Sequence, residues 1–309
     1  LKLARMVKRR SHVIAFTNGY HGLTMGALAV TGNYFYKDES YGARCNTAFM
    51  PYDGYLGPDV NTICYLRRFL EDGSSGVDVP AAIIVETVQG EGGINVASDE
   101  WLRDLEQLCR EFDILLIIDD IQVGNGRTGS FFSFERAGIT PDLVTMSKSI
   151  GGGLPMALLL MRPELDQWQP GEHTGTFRGN NLAFVASTQS LSYWDNDDLA
   201  GAIRHKSEIL EKGLNAIADK YPQFDARVRG VGMVWGLELP QPGVAGAASK
   251  EAFERGLLIE TAGAHDQVLK FLPPLVIEED LLHEGLKVVD DALGALAEKR
   301  ESMLTGGGT

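Results

Sequence analysis

Residues 114–155 read ILLIIDDIQVGNGRTGSFFSFERAGITPDLVTMSKSIGGGLP. Two apolar runs in this stretch end abruptly, the first in Asp119-Asp120 and the second in Ser147-Lys148. Continuously apolar runs of this length are the mark of strands buried on both faces, as in a parallel sheet. Burying an unpaired ammonium is costly. A lysine at the edge of such a strand, followed at once by Gly151-Gly152-Gly153 after one short turn, therefore needs a chemical reason.

The same texture extends outward. Upstream, HVIAFT (12–17) and AAIIVETVQGEGG (81–93) are further apolar strands, the second running into a glycine-rich turn. Between 98 and 113, SDEWLRDLEQLCREFD reads as a helix capped by Ser98, with acidic residues in its first turn. MALLLM (156–161) is a fourth strand of the set, and a long helix is expected from Asn180 to Tyr193. Strands separated by helices indicate an α/β fold with a mostly parallel sheet flanked by helices. Beyond residue 195 the pattern changes. LAGAIRHKSEILEKGLNAIADKY (199–221) is a charged amphipathic helix, ARVRGVGMVWGLEL (226–239) alternates like a half-exposed strand with glycine kinks, and 277–301 is a closing helix. This predicts a large domain over 1–195 and a smaller C-terminal α/β domain over 196–309. LKLARMVKRR (1–10) starts in helical period without a cap, which reads as a chain whose front end is missing. TGGGT (305–309) reads as a disordered tail.

Composition narrows the classes. A net charge of −14 with no basic stripe excludes nucleic acid as a partner. No apolar run reaches membrane-spanning length and no signal peptide is legible, so neither a membrane nor secretion is expected. Cys45, Cys64 and Cys109 are scattered, without metal spacing or a disulfide framework, which fits a reducing cytoplasm; no metal site is expected.

Ligands of open parallel sheets bind beyond the carboxyl ends of the strands. Glu86, Asp119-Asp120 and Lys148 stand at those ends. Each alone has an ordinary explanation, as a solvated strand end or a loop cap. Together they place a carboxylate, an acid pair and an amine beside glycine-rich turns. A lysine in a desolvated pocket has a lowered pKa and can bond to an aldehyde. A pyridoxal cofactor needs such a lysine, with an aspartate beside its ring nitrogen. Gly124–Gly129, GNGRTG, formally matches the dinucleotide-binding glycine pattern, but it does not directly follow a strand and open a helix.

IIDDIQVGNGRTG, SKSIGGGLP and GEHTGTFRGNNLAF, in that order and spacing, resemble the class III pyridoxal-phosphate-dependent aminotransferases over essentially the whole chain. The resemblance is greatest to the ectoine-pathway members, which move the amino group of L-glutamate to L-aspartate 4-semialdehyde. It implies the fold of type I pyridoxal-phosphate enzymes and pyridoxal 5'-phosphate as cofactor. It also implies amino acid and oxo acid or aldehyde substrates, and a homo-oligomer, at least a dimer, with shared active sites. By position, Lys148 is then the cofactor lysine and proton shuttle, and Asp119 the partner of the ring nitrogen. Gln122 bonds the ring hydroxyl, Ile121 and Tyr20 cover the two ring faces, and His21 and Glu86 line the site. Thr176 reaches the phosphate of the neighbouring subunit's cofactor. Glu91 is a gating carboxylate, paired with Lys270 in VLKFLPPL (268–275). Many class members carry Arg in place of Lys270 and Gly in place of Arg178. A lysine is a point charge rather than a fork, so Arg178 is a further candidate for the substrate carboxylate. The motifs leave open other ω-amine aminotransferases of the class (ornithine, acetylornithine, 4-aminobutyrate or siderophore diaminobutyrate) and an inactive fragment kept as a structural partner.

Overall fold

The computed structural model describes residues 1–41 and 46–306. Along the chain the elements are α1 (Lys2–Lys8), β1 (Val13–Phe16), α2 (Met25–Val30), β2 (Thr47–Met50), α3 (Thr62–Glu71) and β3 (Ala82–Val85). The two-residue strands β4 (Val88–Gln89) and β5 (Asn95–Val96) follow, then α4 (Asp99–Glu111), β6 (Leu115–Asp119), β7 (Leu143–Met146), β8 (Leu158–Met161) and α5 (Asn181–Leu191). After them come α6 (Asp198–Lys220), β9 (Arg227–Val231), β10 (Val234–Glu238), α7 (Val244–Glu254), β11 (Glu260–Ala262), β12 (Val268–Phe271) and α8 (Glu279–Gly306). Cys45 and 307–309 lie outside the described residues; of the expected tail, Thr305 and Gly306 belong to α8.

The chain divides into two compact units. The first gathers 1–89, 96–125 and 130–197; the second gathers 90–95, 126–129 and 198–309. Two short loops thus leave the sequence of the first unit and pack with the second.

In the first unit the sheet order is β2-β1-β3-β6-β7-β8. All neighbours run parallel except β7 and β8, which are antiparallel. Alternate residues of the central strands feed opposite faces. Ile14, Phe16, Ile83, Val85, Leu116 and Ile118 join one buried cluster, and Val13, Ala15, Ala82, Ile84, Leu115 and Ile117 join another. Burying each large side chain of this kind stabilises by about 1.5–3 kcal/mol, which is why these strands are apolar on both faces up to the Asp119 that ends β6. On α4, Trp101, Leu102, Leu105, Leu108 and Cys109 are buried at helical spacing, and Ser98 Oγ accepts the Trp101 N–H at 3.2 Å.

MALLLM corrects the expectation that all four apolar runs are covered parallel strands. It forms β8, an antiparallel edge strand whose Leu159 and Leu160 are exposed. The link from β7 contains only a 3-10 turn at Lys148–Gly151, and a parallel return needs a longer crossover.

The second unit is an antiparallel sheet of order β11-β12-β10-β9 with α6, α7 and α8. Residues 226–239 are not one kinked strand but a hairpin, with Val231 opposite Val234. Gly232 makes the turn possible: its φ is +60° and a Cβ there would lie 2.4 Å from the Arg127 carbonyl oxygen. Only glycine meets both conditions.

Candidate functional site

The parallel strands β1, β3, β6 and β7 deliver their carboxyl ends to one edge of the sheet. Past β1 come Tyr20 and His21, past β3 comes Glu86, at the end of β6 stands Asp119, and past β7 comes Lys148. The chain passes from β1 to β2 on one side and returns to β3 on the other, so this edge includes a topological switch point.

Short hydrogen bonds tie these ends together. His21 Nδ1 lies 2.7 Å from Asp119 Oδ2, and the two side chains are 3% and 6% exposed. The Tyr20 backbone N–H donates to Glu86 Oε2 at 2.8 Å, which joins the β1 and β3 ends. The His21 N–H donates to Thr31 Oγ1 at 3.0 Å, and that hydroxyl donates to the Gly22 carbonyl at 3.0 Å. The other Asp119 oxygen accepts the Ile121 N–H at 3.2 Å, so the loop after β6 folds back on its own carboxylate. Burial alone would lower the His21 pKa. The hydrogen bond and charge of Asp119, with the charge of Glu86, outweigh it and raise the pKa above its ordinary value. The site therefore favours the protonated imidazole at His21, hydrogen-bonded to Asp119.

Asp120, one residue on, is fully buried without such a partner. Burial pushes its pKa up to about 6, against the bonds it accepts from Ser133. Its Oδ1 has no hydrogen-bond partner among the described residues.

Lys148 has φ +53°, a left-handed conformation that few side chains adopt at no cost, and it is exposed. The expected desolvated pocket is thus not built by the described residues of this chain. Of the glycines after it, Gly152 is the one that packing requires. A Cβ on Gly152 would lie 2.9 Å from the backbone of Ala186, so that glycine makes room for α5.

Thr176 and Arg178 lie on the exposed segment 174–178 and are outside this hydrogen-bonded set. The intervening Phe177 is 98% exposed, and Leu182 and Val185 of α5 are also exposed.

In the second unit Lys270 and Glu91 do meet. Lys270 Nζ lies 2.8 Å from Glu91 Oε1 and 3.0 Å from Glu260 Oε2, with the lysine side chain 3% exposed. Burial acts against the ammonium, but Glu91 first and Glu260 second more than offset it, and the Lys270 pKa is raised. The sequence reading missed Glu260. It carries no motif, and only the β11–β12 register, which sets Glu260 directly opposite Lys270, marks it. Arg127 of GNGRTG, also in this unit, donates to the carbonyls of Met233 and Pro273. That glycine-rich stretch is tied into the protein's own backbone.

The first unit's donor set fits a planar, protonated nitrogen heterocycle bearing an aldehyde. It offers a carboxyl group hydrogen-bonded to His21, a half-buried amide at Gln122 three residues on, and a primary amine at the same sheet edge. A family model described as aminotransferase class III matches residues 1–293. The chain is 62% identical over 304 residues to a diaminobutyrate–2-oxoglutarate transaminase of Wolinella succinogenes, covering 98% of this chain and 71% of that one. It is 55% identical to the protein of the same name from Bordetella parapertussis, covering 97% and 70%. Among solved structures, the ornithine aminotransferase of Toxoplasma gondii superposes with a TM-score of 0.83 at 26% identity, covering 96% of this chain and 69% of that one.

Proposed function

The chain belongs to the class III aminotransferases, and from that premise we propose that it moves the amino group of L-glutamate to L-aspartate 4-semialdehyde. The products are 2-oxoglutarate and L-2,4-diaminobutyrate, the step that opens ectoine synthesis. The observation that carries this reading is the buried His21–Asp119 pair at the same sheet edge as Lys148. Support for the substrate comes from the names of the relatives at 62% and 55% identity.

Pyridoxal 5'-phosphate, when bound, supplies an electron-poor ring that accepts the electron pair left by proton removal. Asp119 would keep the proton on the ring nitrogen, and the His21 hydrogen bond would orient it. Gln122 would hydrogen-bond the ring hydroxyl, Tyr20 and Ile121 would hold the two faces, and Glu86 fixes the Tyr20 backbone. Lys148 Nζ would bond the aldehyde at rest and, once displaced, take the α-proton of the amino donor as general base. Thr176 would serve the phosphate of a second subunit's cofactor. Its exposed segment and the exposed apolar residues Phe177, Leu182 and Val185 fit a homodimer with shared sites. Lys270 would be a partner for a substrate carboxylate, with Glu91 as the gating carboxylate paired to it, and Arg178 would be a further candidate for a substrate carboxylate. We place the enzyme in the cytoplasm; among the described residues no helix is long and apolar enough to cross a membrane.

The test is the visible spectrum of the full-length protein with pyridoxal 5'-phosphate, before and after L-glutamate, followed by turnover with a panel of aldehydes. A lysine-bound cofactor band that glutamate bleaches, with aspartate 4-semialdehyde the best acceptor, is expected. Lys148→Ala should lose both the band and turnover. Preference for another semialdehyde would reassign the acceptor, and turnover at the wild-type rate in Lys148→Ala would overturn the site.

A further inference from the structure

Three successive backbone N–H groups hold the loop after β1, each on a different acceptor. The Gly19 N–H donates to the Phe16 carbonyl at 3.2 Å, the Tyr20 N–H to Glu86 Oε2 at 2.8 Å and the His21 N–H to Thr31 Oγ1 at 3.0 Å. Neither Tyr20 nor His21 belongs to a helix or strand, so no ladder fixes them. Left-handed residues flank the pair, Gly22 with φ +117° directly after it and Asn18 with φ +62° shortly before. Glycine is conformationally permissive, so the direction of His21 rests on the bonds made to it.

Thr31 is the far end of that hold. It is fully buried, caps the C-terminal end of α2, and uses its hydroxyl in both senses. The oxygen accepts the His21 N–H, and the proton has the carbonyls of Gly22 at 3.0 Å and Ala27 at 3.1 Å within reach. The β-branch leaves such a side chain few orientations. A second tie lies one residue on, where the Gly32 N–H donates to the Gly19 carbonyl at 2.6 Å. A Cβ on Gly32 would lie 3.0 Å from the Asn18 nitrogen, so the two ends of the loop close directly on each other. Of these ties, the Thr31 bond is the one made to His21. The imidazole beyond it has to meet Asp119 Oδ2 at 2.7 Å inside an enclosed space, and a hydrogen bond weakens steeply with misalignment.

We infer that Thr31 is a positioning residue for the amino transfer: its hydroxyl holds the His21 backbone so that the imidazole meets Asp119, and through that bond it orients the carboxyl that would face the cofactor's ring nitrogen. This rests on the proposed role of Asp119. A hydroxyl suits the place because it is an acceptor and a donor in one small group. Valine has the shape and neither function; serine has both functions.

The experiment uses the full-length protein loaded with pyridoxal 5'-phosphate. The His21 imidazole is titrated by NMR, its signal assigned by loss in His21→Gln, beside steady-state kinetics with L-glutamate. In wild type, Asp119 and Glu86 raise the His21 pKa against burial. In Thr31→Val the imidazole should part from Asp119, burial then weighs more, and the pKa falls. With it kcat should drop about three- to tenfold, the glutamate KM staying close to wild type because Thr31 acts through Asp119 and not on the substrate. Thr31→Ser should restore both. Thr17→Val is the control: it removes a hydroxyl that accepts the Tyr52 N–H at 3.1 Å in the same unit, and it should leave the His21 titration where it is. If Thr31→Val does not fold, Thr31→Cys, with a weak acceptor in place of the hydroxyl, should show a smaller fall in the same direction. An unchanged His21 pKa in the Thr31 variant, an equal fall in Thr17→Val, or no rescue by serine would overturn the assignment. If wild type moves no amino group from glutamate, the proposed function fails, and the His21 titration still decides the role of Thr31.

Discussion

Each unit of the molecule buries a charged pair, and the two pairs are built to different ends. In the first unit, His21 and Asp119 are both almost fully enclosed, 2.7 Å apart, and each is braced from its own backbone or a neighbouring hydroxyl. Nothing about that pair can move without leaving a buried charge alone, which is strongly unfavourable. In the second unit a buried Lys270 is shared, and one of its two partners stands in solvent. The number of partners and the exposure of the second one separate a closed pair from a shared cation.

The sharpest way to break the fixed pair is Asp119→Asn. It keeps the shape and removes the charge, so the ring nitrogen loses its ionic partner and His21 its counter-ion. The kcat of the cofactor-loaded enzyme should fall on the order of a hundredfold or more, as when a preorganised electrostatic partner is lost. Gln122→Ala removes one neutral hydrogen bond and should cost only about tenfold. Equal losses in the two variants would undo the assigned roles.

A smaller effect is expected where the loop that carries Glu91 packs on the second unit's sheet. A Cβ on Gly236 would lie 2.8 Å from Val268 Cγ1 and 3.0 Å from the Ile94 Cβ, in a fully buried place. Gly236→Ala should destabilise by about 1–3 kcal/mol through overpacking. In an Ile94→Gly background the left-handed strain of Ile94 at φ +58° and the clash with it both disappear, so the same substitution should cost less. A double-mutant cycle by urea denaturation measures that coupling. Strict additivity would mean that Ile94 and Gly236 do not act as plug and slot.

The legible parts of this protein are those where one local rule decides. The strands at 82–85 and 115–118 had to be buried because every residue is apolar, and Ser98 had to start a helix because its hydroxyl satisfies an otherwise unpaired N–H. The constellation of Glu86, Asp119 and Lys148 followed from strand ends alone. The direction of β8 did not, since 156–161 is as apolar as its neighbours and only the short connection before it forces the reversal. The hairpin at 227–238 was hidden because Gly232 reads the same as Gly230 and Gly236 until Arg127 packs against it. Glu260 was invisible for a related reason: cross-strand register is not written in either strand separately. His21 was read as a residue of the cofactor site; its bond to Asp119, from a loop nearly a hundred residues earlier in the chain, needed the fold.

Asp120 supplies the subtlest contrast, because it differs from Asp119 by one position and by the absence of a cation. Its Oδ2 accepts the Ser133 N–H at 3.3 Å, its Oδ1 has no partner among the described residues, and the charges of Asp119 and Glu135 bear on it. A carboxyl whose folded pKa is raised binds its proton more tightly in the folded state. Its stabilising contribution is complete below the unfolded value near 3.8 and is lost as pH rises through about 6. Wild-type stability should therefore carry a falling component between those two values. Asp120→Asn abolishes that component, and above it the variant should gain about 1 kcal/mol, the relief being partly offset by an amide N–H2 buried without an acceptor. Denaturation midpoints of both proteins from pH 4 to 8 check this: the two curves should cross near the middle of that range. Parallel curves would mean that Asp120 stays ionised in the fold, so that a carboxylate can be kept charged beside Asp119 without a cation of its own.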